Sequence, residues 1–335
     1  MSELSKFNIP VILFIFKRSE TTIKTIQILK KINARKIILV GDYGRNNEEN
    51  KIVEKVRKEV LSAIDWDCDV EKRFATKNEG VFNQIGLGAC DILKKEGKAI
   101  FLEDDNLPEE SFFPYCEYLL DKYENEEKIL WICGTNYLGQ YTPKNGASYM
   151  FTKQLLPCGW ASWGKKFNKY YDKTLEFLDD KKEIKKLRNQ YVNCRLYKQQ
   201  VYDAKNERMR FLEGRQFASW DYHMIMSVVK NNLYGIAPSC NLIKNTGVDT
   251  FATHGGVSKK NVMAQRFCGM DSFEISLPLK DPKELKIDSK FEKKISSIRV
   301  KPFLKTINSK IKNLIKKNIF HLNENESFKQ KFLKK

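Results

Sequence analysis

Short apolar runs and longer amphipathic segments alternate along the first third of the chain. Residues 9–16 (IPVILFIF) form a continuous, β-rich apolar run, the pattern of a strand buried on both faces. Residues 19–32 follow with Ile23, Ile26, Ile28, Leu29 and Ile32 at helical spacing. A second short strand is predicted at 36–40, ending at Gly41-Asp42-Tyr43-Gly44, then a helix over 50–64. A third strand at 68–74 leads through the loop Asn78-Glu79-Gly80 to a helix ending near residue 95. The apolar run 99–102 then ends in three consecutive carboxylates, Glu103, Asp104 and Asp105. Alternation of this kind predicts an α/β protein with an open, largely parallel sheet and helices on both faces.

The remainder reads less regularly. A strand is expected at 149–151, a turn-rich aromatic stretch at 157–164, and a lysine-rich helical segment over 181–210. Ser219-Trp220-Asp221-Tyr222-His223 leads into an apolar helix through Val229, and a loop containing Pro238, Gly247, His254, Gly255 and Gly256 closes the globular part. From residue 302 to 320, Phe303, Leu304, Ile307, Ile311, Leu314, Ile315, Ile319 and Phe320 recur every three or four positions with lysines between them. That pattern is a basic amphipathic helix, suited to an anionic membrane surface or an acidic partner, or packed on its own domain with a solvated lysine face.

Ligands of open α/β sheets bind outside the carboxyl ends of the strands. Here the first strand ends at Lys17-Arg18, the second at Asp42 and the fourth at the acidic triplet. Three adjacent carboxylates repel one another and raise each other's proton affinity, so a fold keeps them chiefly where a cation or polar ligand compensates them. An acidic loop after a strand is the plain alternative, since acidic residues are common in turns. A nucleotide carrying a diphosphate and a divalent metal suits an edge that gathers both signs of charge.

Composition narrows the class. With 335 residues and 41% hydrophobic positions, the chain can bury a sizeable core. No apolar stretch reaches the roughly 20 residues that span a bilayer, and the first residues lack a signal-peptide pattern. Eight widely spaced cysteines, with no C-x-x-C pair, read as reduced packing residues and point to a cytoplasmic protein. The formal charge of +18 is uneven, residues 281–335 holding 16 Lys or Arg against 6 Asp or Glu. That tail is poor in stacking aromatics and follows no nucleic-acid module, so nucleic acid is not an expected partner.

The serial order of these motifs resembles the GT-A glycosyltransferases, in particular the N-acetylglucosaminyltransferase I type and bacterial family 2-like relatives. IPVILFIFKRS resembles that family's first strand ending in Arg-Ser, and ILVGDYG its second strand ending in Asp before Gly. FLEDDNLPEESFFPY resembles its E-D-D metal motif, LPCGWASW its Gly-Trp segment and SWDYHM its Trp-Asp motif. About residues 9–256 are covered. The resemblance implies a Rossmann-like open mixed sheet with a donor half (1–150), an acceptor-side catalytic half (151–280) and the basic tail (281–335).

It also implies roles. Asp105 would ligate Mn²⁺ or Mg²⁺, Asp104 would hold the ribose or metal-bound water, and Glu103 would contact the donor sugar or nucleotide. Arg18 would face the nucleotide, Asp42 its base, and Asn78 would lie in a nucleotide-side loop. Asp221 would be the base that deprotonates the acceptor, although a carboxylate there also suits a helix N-terminus. Gly159, Trp160 and Trp220 would line the sugar or acceptor pocket, with core packing open for both tryptophans and favoured for Trp163. His254 lies where some GT-A enzymes place a late metal or phosphate ligand, or is an ordinary loop histidine. The departures are Phe16-Lys17 before Arg18, where animal enzymes carry an acidic residue, and 165–218, which has no counterpart.

The expectation is a metal-dependent inverting glycosyltransferase. It would move a sugar from a nucleotide diphosphate donor such as UDP-N-acetylglucosamine to a surface-glycan or lipid-linked acceptor at the inner face of the membrane. A nucleotidyltransferase would share the acidic cluster but would carry a glycine-rich phosphate loop after the first strand, and FIFKRSETT has no glycine. A non-catalytic membrane-surface protein is the other alternative.

Overall fold

A computed structural model describes residues 6–247 and 266–302. Eight strands form one mixed sheet, β1 (Val11–Ile15), β2 (Lys36–Gly41), β3 (Asp69–Phe74), β4 (Lys98–Glu103), β6 (Ile129–Cys133), β7 (Tyr149–Thr152), β8 (Trp160–Trp163) and β9 (Tyr234–Pro238). Their spatial order is β3-β2-β1-β4-β8-β6-β9-β7. The first four strands run parallel and are joined by three helical crossovers, α1 (Ser19–Lys31), α2 (Asn47–Ser62) and α3 (Gly88–Glu96); α4 (Phe112–Lys122) and α5 (Gly164–Tyr170) follow later in the chain. The expected Rossmann-like half is therefore present.

The chain then reverses direction inside the sheet. β8 lies antiparallel between β4 and β6, while β6 and β9 pair in parallel and β7 closes the far edge antiparallel to β9. Residues 157–164 are thus not a turn-rich stretch throughout. The turn ends at Gly159, and Trp160-Ala161-Ser162-Trp163 is a central strand buried on both faces, a setting in which periodicity gives no alternation to read.

Apolar layers cover both faces of the sheet. On one face the rings of Phe14, Phe101, Trp160 and Trp131 lie in sequence across β1, β4, β8 and β6, with centroids 6.0, 3.9 and 4.2 Å apart and near-parallel planes. Each such pair adds about 0.5–1.5 kcal/mol beyond its buried area. Trp220 joins the same stack, 5.7 Å from Trp160 and 6.0 Å from Trp131. It stands immediately before α8 (Asp221–Lys230).

Several expected elements have different bounds. Residues 181–210 are not one helix but α6 (Lys181–Leu187), a 3₁₀ turn and α7 (Cys194–Leu212). The restart is set by Asn193, whose side chain accepts from the amides of Arg195 and Leu196. The segment after residue 280 is no separate tail as far as residue 302. Helix α9 (Ser289–Ile298) buries Phe291 and Ile295, and buried Glu292 accepts from Thr152 Oγ1, the Lys153 amide and Gln154 Nε2 at 2.6–3.0 Å. Beyond Pro302 the expected amphipathic helix lies outside the described residues, as does His254. Among the described residues no helix is long and apolar enough to cross a membrane.

His223 on α8 is fully buried against Phe82 and Phe217, with Nδ1 2.7 Å from the Asp172 carbonyl. Burial lowers its pKa from 6.5 to about 4. The unfolded chain therefore takes up this proton before the folded protein does, so the stabilisation is complete above about pH 6.5 and lost as pH falls through about 4. Between pH 7 and 4 the wild type is expected to lose about 3 kcal/mol more than His223→Gln in chemical denaturation. Parallel acid profiles for the two proteins would refute the assignment.

Candidate active site

The acidic triplet sits where β4 leaves the sheet, and its members face different surroundings. Asp104 turns back on the chain. Its Oδ2 accepts the amides of Phe16, Lys17 and Arg18 at 3.1–3.3 Å, and its Oδ1 accepts Arg18 Nη1 at 2.8 Å. The amides of the β1–α1 turn, just ahead of the first turn of α1, are thereby satisfied by a carboxylate. Asp104 and Arg18, given to the donor by the resemblance, hold β4 to the β1–α1 turn.

Asp42 is similarly engaged. It accepts the amides of Tyr43, Glu79 and Gly80 and the side-chain amide of Asn78 at 2.8–3.1 Å. Asn78 Nδ2 also reaches the Tyr43 carbonyl at 2.6 Å. Gly80, at φ +79°, turns the chain in a region that L side chains rarely adopt. Asp42 thus fixes the loop that carries Asn78.

These groups surround a cleft of about 310 Å³. Phe14, Val40, Ile85 and Phe217 give it an apolar wall, while Asp42, Asn78, Glu103 and Asp104 supply polar groups. Arg45, Gln84, Arg210 and Gln216 also line it and were not singled out by the sequence. Gln84 lies in a π-helical stretch, Phe82–Leu87, a widened turn of the kind found at functional sites. Arg45 is held by Glu49, which also binds Lys17 at 3.1 Å; the first of these contacts chiefly lowers Glu49 to a pKa of about 2. Arg210 and Gln216 come from the 165–218 region that had no counterpart to align, so no motif could have marked them.

Glu103 and Asp105 are the less fully compensated members of the triplet, although Asp105 Oδ1 accepts Asn106 Nδ2 at 2.6 Å. Burial, then the charges of Asp105, Asp104 and Asp221, pushes Glu103 well above the usual carboxylate range. Burial, then Asp104, raises Asp105 to about 6, against opposing pulls from Arg18 and Asn245. Asp105 is enclosed by the antiparallel pair β5 (Asn106–Pro108) and β10 (Ile243–Asn245) and by the turn that follows it. The Thr246 amide donates to the Asp105 carbonyl at 2.8 Å, and a side chain at Gly247 would overlap the Asp105 carboxylate. Gly159, at φ +62°, donates its amide to Asn106 Oδ1 at 2.9 Å, and a Cβ there would strike Ile243. Its place is structural support for this pair.

The charge of Asp221, from the other half of the chain, is one of those that raise Glu103, while the residues lining the cleft end at Gln216, Phe217 and Ala218 on that side. The capping of α8 is done by Ser219, whose Oγ accepts the Tyr222 amide at 3.3 Å and donates to Asp221 Oδ1. Glu207 holds the approach to α8 by accepting the amides of Ala218 and Ser219 at 2.6 and 3.1 Å. Trp160 and Trp220, expected against a sugar, are only 1% and 5% exposed. The aromatic stack claims them, and Trp163 is core as well, with Nε1 on the Leu120 carbonyl at 2.8 Å.

Among the described residues no three His, Cys, Asp or Glu side chains converge into a metal cage. The oxygen donors at hand are two half-buried carboxylates, Glu103 and Asp105, whose ionised forms repel each other. They fit a hard divalent cation completed by water and ligand phosphates.

Fold and site together define an α/β protein with a carboxylate-bearing cleft at the carboxyl ends of its central parallel strands. No family model matches the chain, and no curated protein matches it. Among solved structures, a UDP-glucose pyrophosphorylase complexed with UDP-glucose aligns over 69% of this chain and 90% of its own, at 10% identity and a TM-score of 0.33. At that distance the likeness carries no argument about the reaction.

Adjacent carboxylates with unlike surroundings should respond oppositely to neutralisation. Asp105 ionises at a cost that is absent below about pH 4 and complete above about pH 6, so in chelator at pH 7.5 Asp105→Asn is expected to stabilise by roughly 3 kcal/mol. Asp104→Asn, which weakens the tie to three amides and Arg18, is expected to destabilise by about 2–4 kcal/mol. Urea denaturation of both variants reads the two signs, and a common sign contradicts this division of roles.

Proposed function

We propose that the chain is a metal-dependent inverting glycosyltransferase that uses a nucleotide diphosphate sugar, with a uridine diphosphate donor as the first candidate. One observation carries this reading: Asp221, from the acceptor-side half, lies within electrostatic reach of Glu103 at the end of β4. On this reading a candidate base and a candidate cation site, 116 to 118 residues apart in sequence, serve one reaction.

The cleft provides the donor's place. Its apolar wall suits a base, and the loop fixed by Asp42 brings Asn78 to its rim. Asp105 and Glu103 would hold Mn²⁺ or Mg²⁺, which when bound compensates the charge of the departing diphosphate. Asp221 would accept the proton of the acceptor hydroxyl as that oxygen bonds to the anomeric carbon from the face opposite the leaving diphosphate, inverting the configuration. Asp221 is suited to the part because Ser219 performs the capping, and Trp220 fixes its backbone against the sheet. A surface glycan or lipid-linked acceptor would enter from the 165–218 side.

Nucleotidyl transfer is the second reading of the same cleft, and the products separate the two. Asp221→Asn is expected to retain Mn²⁺-dependent thermal stabilisation by UDP while turnover of the nucleotide sugar falls roughly 10²- to 10⁴-fold. Turnover within a few-fold of wild type removes Asp221 as the base. Consumption of pyrophosphate with release of the sugar 1-phosphate and the nucleoside triphosphate, in place of the nucleoside diphosphate, would make the protein a nucleotidyltransferase.

A further inference from the structure

The outward face of α7 carries the wrong residues for a solvent-facing helix. At intervals of three and four it presents Arg195, Lys198, Tyr202, Lys205, Met209 and Leu212. These positions form one stripe. Tyr202, Met209 and Leu212 are 40, 53 and 56% exposed, and the stripe contains no carboxylate. The two acidic residues of α7 are both turned to the body of the protein. Asp203 binds Lys301 at 2.9 Å and Tyr222 at 3.1 Å, and Glu207 binds the amides before α8. Cations and large apolar groups are therefore sorted outward and anions inward.

From this sorting we propose that α7 is a docking surface for an anionic lipid bilayer. The stripe joins cations to apolar groups with no carboxylate among them, the charge complement of an anionic surface. A lipid interface accepts such a face: apolar tips enter the acyl boundary while Lys and Arg stems reach the headgroups. Each cation near an anionic surface contributes about a fivefold gain in partition. The apolar end of the stripe adjoins Arg210, Gln216 and Phe217, which line the cleft, so docking sets the cleft mouth at the lipid surface. Vesicle binding through α7 stands or falls without the transfer chemistry.

The test is co-sedimentation of the full-length protein with phosphatidylcholine vesicles with and without phosphatidylglycerol. Wild type is expected to sediment with the phosphatidylglycerol vesicles and to be released by high salt. Met209→Glu combined with Leu212→Glu, and separately Lys198→Gln combined with Lys205→Gln, should each lower that partition roughly tenfold or more. The Gln pair keeps the test valid if the Glu pair fails to fold, as judged by circular dichroism. If folded stripe variants partition within twofold of wild type, α7 is not the contact. If gel filtration instead shows a wild-type dimer that these variants dissociate, the stripe is an interface between copies, and the bilayer assignment is overturned.

Discussion

The aromatic stack across the middle of the sheet is the constraint on which the rest depends. Phe101 lies on β4 two residues before Glu103, Trp160 packs on it from β8, and Trp220 packs on Trp160 one residue before Asp221. Three rings thus join the strand that carries the acidic triplet to the helix that begins with Asp221. Gly86 leaves room for this join, because a Cβ there would strike the Tyr171 hydroxyl, which donates to the Trp220 carbonyl at 3.1 Å. Packing of these rings sets how the end of β4 and the start of α8 stand relative to one another.

The same arrangement separates three carboxylates that look alike in sequence. Asp104 is balanced by Arg18 and the amides of the β1–α1 turn, so its charge belongs to the fold. Glu103 and Asp105 are held near it and near each other with less compensation. Stability is given up at two positions and recovered at the one between them, which is the signature of a site shaped for a ligand.

The parallel half was legible because strands buried on both faces and amphipathic crossover helices leave strong, repeated patterns. The second half was not, for identifiable reasons. Trp160–Trp163 is short and buried on both faces, so it shows no alternation. β6 and β9 are five-residue strands buried at almost every position, so they show no alternation either. Asp42, Asp104 and Asp221 were visible as residue types, but their hydrogen bonds were not, since each depends on backbone amides or hydroxyls brought close by the fold. Arg210 and Gln216 could be found only in three dimensions.

The reversed strand β8 has a consequence for how the chain is made. Until residues 160–163 leave the ribosome, β4 ends the parallel sheet as an open edge rich in apolar side chains, with its ladder groups unpaired on one side. At about 5–20 residues per second, nearly sixty residues of further synthesis is a wait of several seconds. During that wait the nascent chain exposes the sort of edge that recruits other strands. The late strand that completes the site also ends that exposure, so an interrupted or slowed synthesis between β4 and β8 is the stage at which this protein is most open to aggregation.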